Sequence, residues 1–212
     1  EVFRANAVQK AALDAQARQH MAEAVDHTGQ LQAISRAQIV VEFNLDGTLI
    51  HANENFCNLL GWDAAEIVGK PNALFLIDAD PASRRYVQFW EDLGSGQFKS
   101  GEYRRRTRDG REVWIQSTFT PICDADGVVY KVVQFATDVT ARKQSVAAIG
   151  AGLKQLADGD LTGAIETPFP PEFEDLRTAL NGTVERFADV VGQLLSTTRS
   201  LRTASSELLS GA

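Results

Sequence analysis

Three stretches of different hydrophobic rhythm follow one another along the chain. In residues 1–36, Leu13, Ala17, His20, Ala24, His27, Leu31 and Ile34 recur alternately at four and three positions, the a/d spacing of a coiled-coil seam, in a background of good helix formers without Pro. A long helix is predicted there, with Gly29 expected to interrupt it and leave a short second helix.

From 37 to 140 the rhythm changes to short apolar runs and strict alternation. Residues 39–43 read as a strand, Asp46-Gly47 as a tight turn and 48–51 as the antiparallel partner. Residues 53–60 read as a helix closed by Gly61, and residue 63 opens another short helix that Gly69-Lys70-Pro71 stops. A longer helix is expected over 81–93, with Pro81 near its first position. Strands follow at 101–107, 111–123 and 128–138, joined by turns at Asp109-Gly110 and Asp126-Gly127. The expected fold class is therefore α+β, a five-stranded antiparallel sheet with helices on one face and an apolar pocket between them.

From 141 the helical period returns. Val146, Ile149, Leu153 and Leu156 keep heptad spacing, residues 159–171 break it with Gly-Asp-Leu and three prolines, and a second register runs from Phe173 through Leu176, Leu180, Thr183, Phe187, Val190, Leu194, Thr197, Leu201, Ala204 and Leu208. Such a stripe needs partner helices, which a parallel homodimer supplies. Where the two rhythms meet, in residues 119–143, the last strand passes into the helix through Asp138-Val139-Thr140 with no loop. That joint can hand movement of a sheet to a helix.

Composition narrows the classes. Apolar residues at 44% support a folded core, and a formal net charge of -7 argues against generic binding to nucleic acid. The local basic run of Arg104, Arg105, Arg106, Arg108 and Arg111 straddles a turn and reads as the solvated face of a hairpin. Cys57 and Cys123 form no CxxC pair, no zinc or other metal site is expected, and no apolar run reaches the roughly 20 residues of a membrane span. Without an initiator Met or signal peptide, the sequence reads as a piece of a longer cytoplasmic protein. His20 and His27 share the first seam, where they read as tolerated polar positions rather than a pH switch. No base, nucleophile and orienting group gather in one motif, so catalysis is not expected.

Asn-Glu-Asn-Phe-Cys-Asn-Leu-Leu-Gly-Trp (53–62), Glu-Ile-Val-Gly-Lys (66–70), Arg-Arg-Thr-Arg-Asp-Gly-Arg-Glu-Val-Trp-Ile (105–115), Thr-Pro (120–121) and Asp-Val-Thr (138–140) occur in the order of a PAS domain. The segment resembles in particular the PAS domains of bacterial chemotaxis and aerotaxis receptors. Gly-Asp-Leu (159–161) and Phe-Glu-Asp-Leu-Arg (173–177), set in two helices with a connector, resemble a HAMP domain, and residues 201–212 resemble the start of the signalling hairpin of methyl-accepting chemotaxis proteins. The resemblance divides the chain into an N-terminal linker helix (1–36), a PAS domain (37–140), a HAMP-like helix, connector and helix forming a parallel coiled coil (141–195) and the opening of the signalling helix (196–212).

The same resemblance implies a sensory pocket, for which Phe56, Leu60, Leu74, Trp90, Trp114 and Phe135 are the candidate lining, and a coupling role for Asp138 and Thr140 as caps of the exit helix. It leaves the ligand open. The His by which related domains hold heme is missing from residues 70–80, and Ile77 and Asp78 stand where flavin-binding aerotaxis receptors carry an Arg-His pair, so neither heme nor flavin is expected. His51 reads as a hairpin residue, and Cys57 as a core-facing helix residue rather than a flavin-adduct thiol. The implied partners are a second copy of the chain through the flanking helices, adjacent PAS and signalling domains and, indirectly, a chemotaxis coupling protein and its histidine kinase. Two other readings stay open: a PAS spacer in a tandem array, and the input module of a sensor kinase or cyclase.

Overall fold

The computed structural model describes residues 2–77 and 80–210, with side chains from Gln16 onward except those of Ala17, His27 and residues 208–210. It divides into two compact units, Glu1–Asp138 and Val139–Ala212. No helix among the described residues is long and apolar enough to cross a membrane.

The first unit opens with one uninterrupted helix, α1 (Val2–Ala37). Gly29 does not break it. The glycine is exposed with nothing near it, so its cost is the roughly 1 kcal/mol of an unconstrained backbone, which the surrounding helix formers outweigh. The seam positions Leu13, Ala17 and His27 lie outside the described side chains, while His20, Ala24, Leu31 and Ile34 are exposed. His20 lies 3.8 Å from Glu23 one turn on.

Strands β1 (Ile39–Phe43), β2 (Leu49–Ala52), β3 (Lys99–Arg106), β4 (Glu112–Cys123) and β5 (Val129–Asp138) form one antiparallel sheet in the order β2-β1-β5-β4-β3. The final strand is thus central, bonded to β1 on one side and β4 on the other. Helices α2 (Glu54–Leu60), α3 (Ala64–Ile67) and α4 (Arg84–Gly94), with a 3₁₀ turn at Asn72–Phe75, supply the other layer. Helix α4 starts later than expected. Pro81 lies in a preceding turn, and the Ser83 hydroxyl accepts from the Tyr86 amide to cap the first turn.

The pleat sorts side chains between the two faces of the sheet. Val113, Ile115, Ser117 and Phe119 of β4 and Val132, Gln134 and Ala136 of β5 are buried, and their apolar members pack with Phe56, Leu60, Ile67, Phe75, Trp90 and Leu93 from the helical layer. Within this core Gln134 Nε2 donates to Ser117 Oγ at 2.9 Å, so the central pair of strands carries a satisfied polar rung.

The second unit consists of α5 (Thr140–Ala157), a non-helical connector and α6 (Pro171–Ser210). The connector doubles back along α5. A Cβ on Gly163 would meet Gln155 Oε1, one on Gly152 would meet both Ile165 and Leu180, and one groove of about 440 Å³ is lined from Ala141 to Gln155 on α5 and from Gly163 to Pro170 on the connector. With Leu180 beside Gly152, α6 running in the same direction as α5 starts level with the first turn of α5, where Pro170 shares the groove with Ala141. The connector is tied to α6 by side chains. Arg177 Nη1 and Asn181 Nδ2 donate to Ile165 O at 2.7 and 3.1 Å, Ile165 N donates to Asn181 Oδ1, and Phe169 N donates to Glu174 Oε2. Beyond this region the apolar stripe of α6 at Phe187, Val190, Leu194 and Leu201 is exposed.

Candidate functional site

Helix α4 places Tyr86, Phe89, Trp90 and Leu93 at helical spacing, so all four face the sheet. Their rings meet those of the sheet edge to face: Trp90 with Phe43 at 5.4 Å, Phe89 with Phe119 at 5.1 Å and Tyr103 with Phe119 at 5.4 Å between centroids. Trp90 also stands directly over the Asp46-Gly47 turn. A Cβ on Gly47 would lie 2.6 Å from the indole, and the residue's φ of +82° independently favours glycine.

This packing separates the six positions expected to line one pocket. Phe56, Leu60 and Trp90 lie in the core. Trp114 and Phe135 alternate with Val113 and Ile115 and with Gln134 and Ala136, which puts both on the opposite face of the sheet, Trp114 beneath the Arg104 guanidinium at 6.0 Å. Leu74, on the 3₁₀ turn, is 40% exposed. The pleat and the turn of the short helix therefore keep the six from lining a single cavity.

The basic run divides in the same way. Arg108 clamps Glu66 with two hydrogen bonds of 2.9 Å and lies over Trp62, tying the β3–β4 turn to α3, while Arg111 pairs with Asp109. Arg105 departs from the expected solvated face. It shares the inward face of β3 with Lys99, Gly101 and Tyr103 and is 2% exposed. The period-2 step from Tyr103 to Arg105, in register with the Asp109-Gly110 turn, was the available signal.

Around Arg105 the interior is polar and incompletely satisfied. The guanidinium donates to Arg104 O at 3.1 Å and stacks 5.2 Å from the Tyr103 ring, and no carboxylate pairs with it among the described residues. Burial draws its pKa down to about 10, with Tyr103 and Tyr86 acting against that, so it stays a cation at neutral pH. Burial raises the Tyr86 phenol, opposed first by the Trp90 indole, then by the Ala73 backbone and only then by the Arg105 charge, and burial raises the Tyr103 phenol, opposed first by Arg105. Tyr86 Oη and Trp90 Nε1 are buried close to each other, and neither completes a well-formed hydrogen bond among the described residues.

Elsewhere, His51 is exposed on β2 and borders an open cleft of about 500 Å³ with Gln32, Ser35, Arg36 and Asn55. Cys57 packs partly against the core, and burial raises its thiol pKa, which lowers thiolate reactivity. Asp78 lies outside the described residues. At the strand-to-helix joint, Asp138 ends β5 and Thr140 begins α5, with Val139, which has no acceptor side chain, in the cap position between them.

Residues 49–136 match the family model of the PAS fold. Over 113 residues, 53% of the chain, the sequence is 37% identical to biofilm dispersion protein BdlA of Pseudomonas aeruginosa, covering 27% of that protein. Over 95 residues, 45% of the chain, it is 28% identical to phototropin-2 of Oryza sativa subsp. japonica, covering 10% of it. The chain thus spans only a minor part of the curated relatives it matches. Among solved structures, the PAS domain of a Colwellia psychrerythraea protein covers 53% of this chain and 96% of its own at 20% identity and a TM-score of 0.45. That of an HTR-like protein from Haloarcula marismortui covers 57% and 98% at 16% identity and a TM-score of 0.47. Residues 49–136, running from β2 into β5, are a PAS domain.

Proposed function

We propose that the chain is the sensory and relay segment of a methyl-accepting chemotaxis receptor, working in the cytoplasm as a parallel homodimer, with PAS input passed through Asp138-Val139-Thr140 to a HAMP-like pair of helices. The observation that carries this reading is the place of β5. It is hydrogen-bonded to both halves of the sheet and gives way to α5 after one residue. Further support comes from α5 and α6, whose connector is held by Glu174, Arg177 and Asn181, and from the exposed stripe on α6, which a second copy would cover. The likeness to a bacterial biofilm dispersion protein is in keeping with a signalling role. In such a relay a small shift of β5 biases two packings of the helices, which is the two-state element that signalling needs. Replacing Asp138 and Thr140 by Ala in the full receptor should uncouple input from kinase control while leaving the protein folded; wild-type signalling by that variant would sink the mechanism.

The ring packing of Trp90, Phe43, Phe89 and Phe119 favours a second reading, a spacer whose interior is filled by its own side chains. Absorption spectroscopy and mass spectrometry of the denatured extract distinguish the two. A small molecule recovered in stoichiometric amount would exclude the spacer.

A further inference from the structure

No glycine ends α1, and its described side chains are exposed except for partly buried Ser35, so the apolar core does not fix the last turn. A pair of side-chain amides fixes it instead. The Asn53 NH2 donates to Ser35 O and Gln38 O, both at 2.7 Å, and the Asn55 NH2 donates to Ser35 O at 3.1 Å, Arg36 O at 3.2 Å and Gln38 O at 2.9 Å. These carbonyls belong to the end of a helix, where intrahelical donors run out. The other side of the Asn53 amide faces the domain. Its Oδ1 accepts from Val40 N of β1 and from Phe56 N in the first turn of α2, each at 3.1 Å. Asn53 is 7% exposed and its amide group is planar, so a displacement of the NH2 carries the Oδ1 with it. Val40 in turn stands opposite Phe135 on β5.

We propose that α1 is a second input to the PAS domain and that Asn53 is the positioning residue through which it acts. A twist or pull on this helix, about 54 Å long at 1.5 Å per residue, arrives at the three carbonyls, turns the Asn53 amide and shifts Val40 and Phe56 together. Asparagine suits the task because it holds two N–H donors and an acceptor in one rigid group, whereas aspartate or serine can cap α2 but brings no NH2 to α1. The inference deepens the relay reading by adding an entry point ahead of the sheet and rests on it for its biological sense, but the coupling itself is a property of this chain alone.

Amide hydrogen exchange of the purified chain, followed by NMR, tests it. Gly29→Pro breaks α1 at an exposed position with nothing within 4 Å, so the substitution touches only the helix. The two turns left beyond the break are too short to hold themselves. Exchange at the Val40 and Phe56 amides is expected to quicken at least about threefold, with the Phe119 amide of the core unchanged. Asn53→Asp keeps an acceptor for Val40 and Phe56 and removes the NH2, and in that background Gly29→Pro should alter neither amide. Asn53→Ser serves the same purpose should Asn53→Asp fail to fold. Unchanged exchange at Val40 and Phe56 in Gly29→Pro overturns the input, since an Asn53 that merely caps α2 gives that result. An acceleration that Phe119 shares is global loosening and also overturns it. The same acceleration with and without the Asn53 NH2 removes Asn53 from the path. None of these results touches the relay, which the Asp138 and Thr140 substitutions test through output.

Discussion

The side-chain amide of Asn53 donates to Ser35 O at 2.7 Å, joining the last turn of α1 to the start of α2. The same amide donates to Gln38 O, and its Oδ1 accepts from the Val40 and Phe56 amides, so one buried side chain closes a helix end, steadies the first strand and caps the next helix. Asn55, in the first turn of α2, repeats the donation to Ser35 O and Gln38 O. Asn53→Ala should cost about 2 kcal/mol, since it strands donors and acceptors together. Urea unfolding gives the energy, and faster hydrogen exchange at the Val40 and Phe56 amides identifies the cause.

Gly47→Ala should destabilise the PAS domain by roughly 2 kcal/mol or more, because the new methyl meets the Trp90 indole while the backbone stays in the left-handed region. Gly69→Ala is the control. Its φ of +78° carries the same strain, but no atom lies within 4 Å, so roughly 1 kcal/mol is expected. Equal losses in the two variants would show that the contact with Trp90 contributes nothing.

Asp109 is held well below the usual carboxylate range, at about 2, first by the Thr107 hydroxyl and then by Arg111. A carboxyl depressed in the folded state contributes stability that is complete above its ordinary value of 3.8 and is lost as pH falls through about 2. Stability of the wild type should therefore drop between about pH 4 and pH 2 more steeply than that of Asp109→Asn. Urea midpoints across that interval decide the matter, and parallel curves would show that the β3–β4 turn has no part in acid unfolding.

Asn181→Ala should free the connector without melting α6, because the side chain accepts from the Ile165 amide and donates to the Ile165 carbonyl, and the helix has other contacts. Hydrogen exchange at Ile165 N is expected to quicken about tenfold, with the α6 amides near Val190 unchanged. Uniform acceleration through α6 would mean instead that the connector holds the helix.

A charge in the exposed stripe of α6 should separate the proposed copies. Leu194→Glu is expected to lower the dimer fraction in sedimentation velocity at least about tenfold while leaving the PAS melting transition in place. A wild-type chain that sediments as a monomer at high micromolar concentration would remove the parallel coiled coil from the reading.

Much of the fold was legible because its signals are local. The turns at Asp46-Gly47, Asp109-Gly110 and Asp126-Gly127 set strand lengths, and the Asp63-Glu66 box and Gly61 bounded the short helices. Pro81 misled, since a proline suits a first helical turn but Ser83 offers the better cap, with an oxygen for the Tyr86 amide. Gly29 misled in the other direction, because a single exposed glycine cannot stop a helix made of strong formers. The candidate site was less legible. Aromatic residues were grouped by type, whereas the parity of each strand decides which face they take, and parity excluded Trp114 and Phe135 while bringing in Arg105. Strand order was not legible at all, since the pairing of β1 with β5 joins segments about ninety residues apart.

That order gives β5 an equal distance from both edges. Two strand interfaces separate it from β2 and two from β3, whereas an edge strand would stand four interfaces from the far side. A disturbance entering on β2 and one entering at Arg105 on β3 therefore cross the same number of ladders before reaching the strand that leaves the sheet. A sheet arranged in this way weighs its two flanks alike.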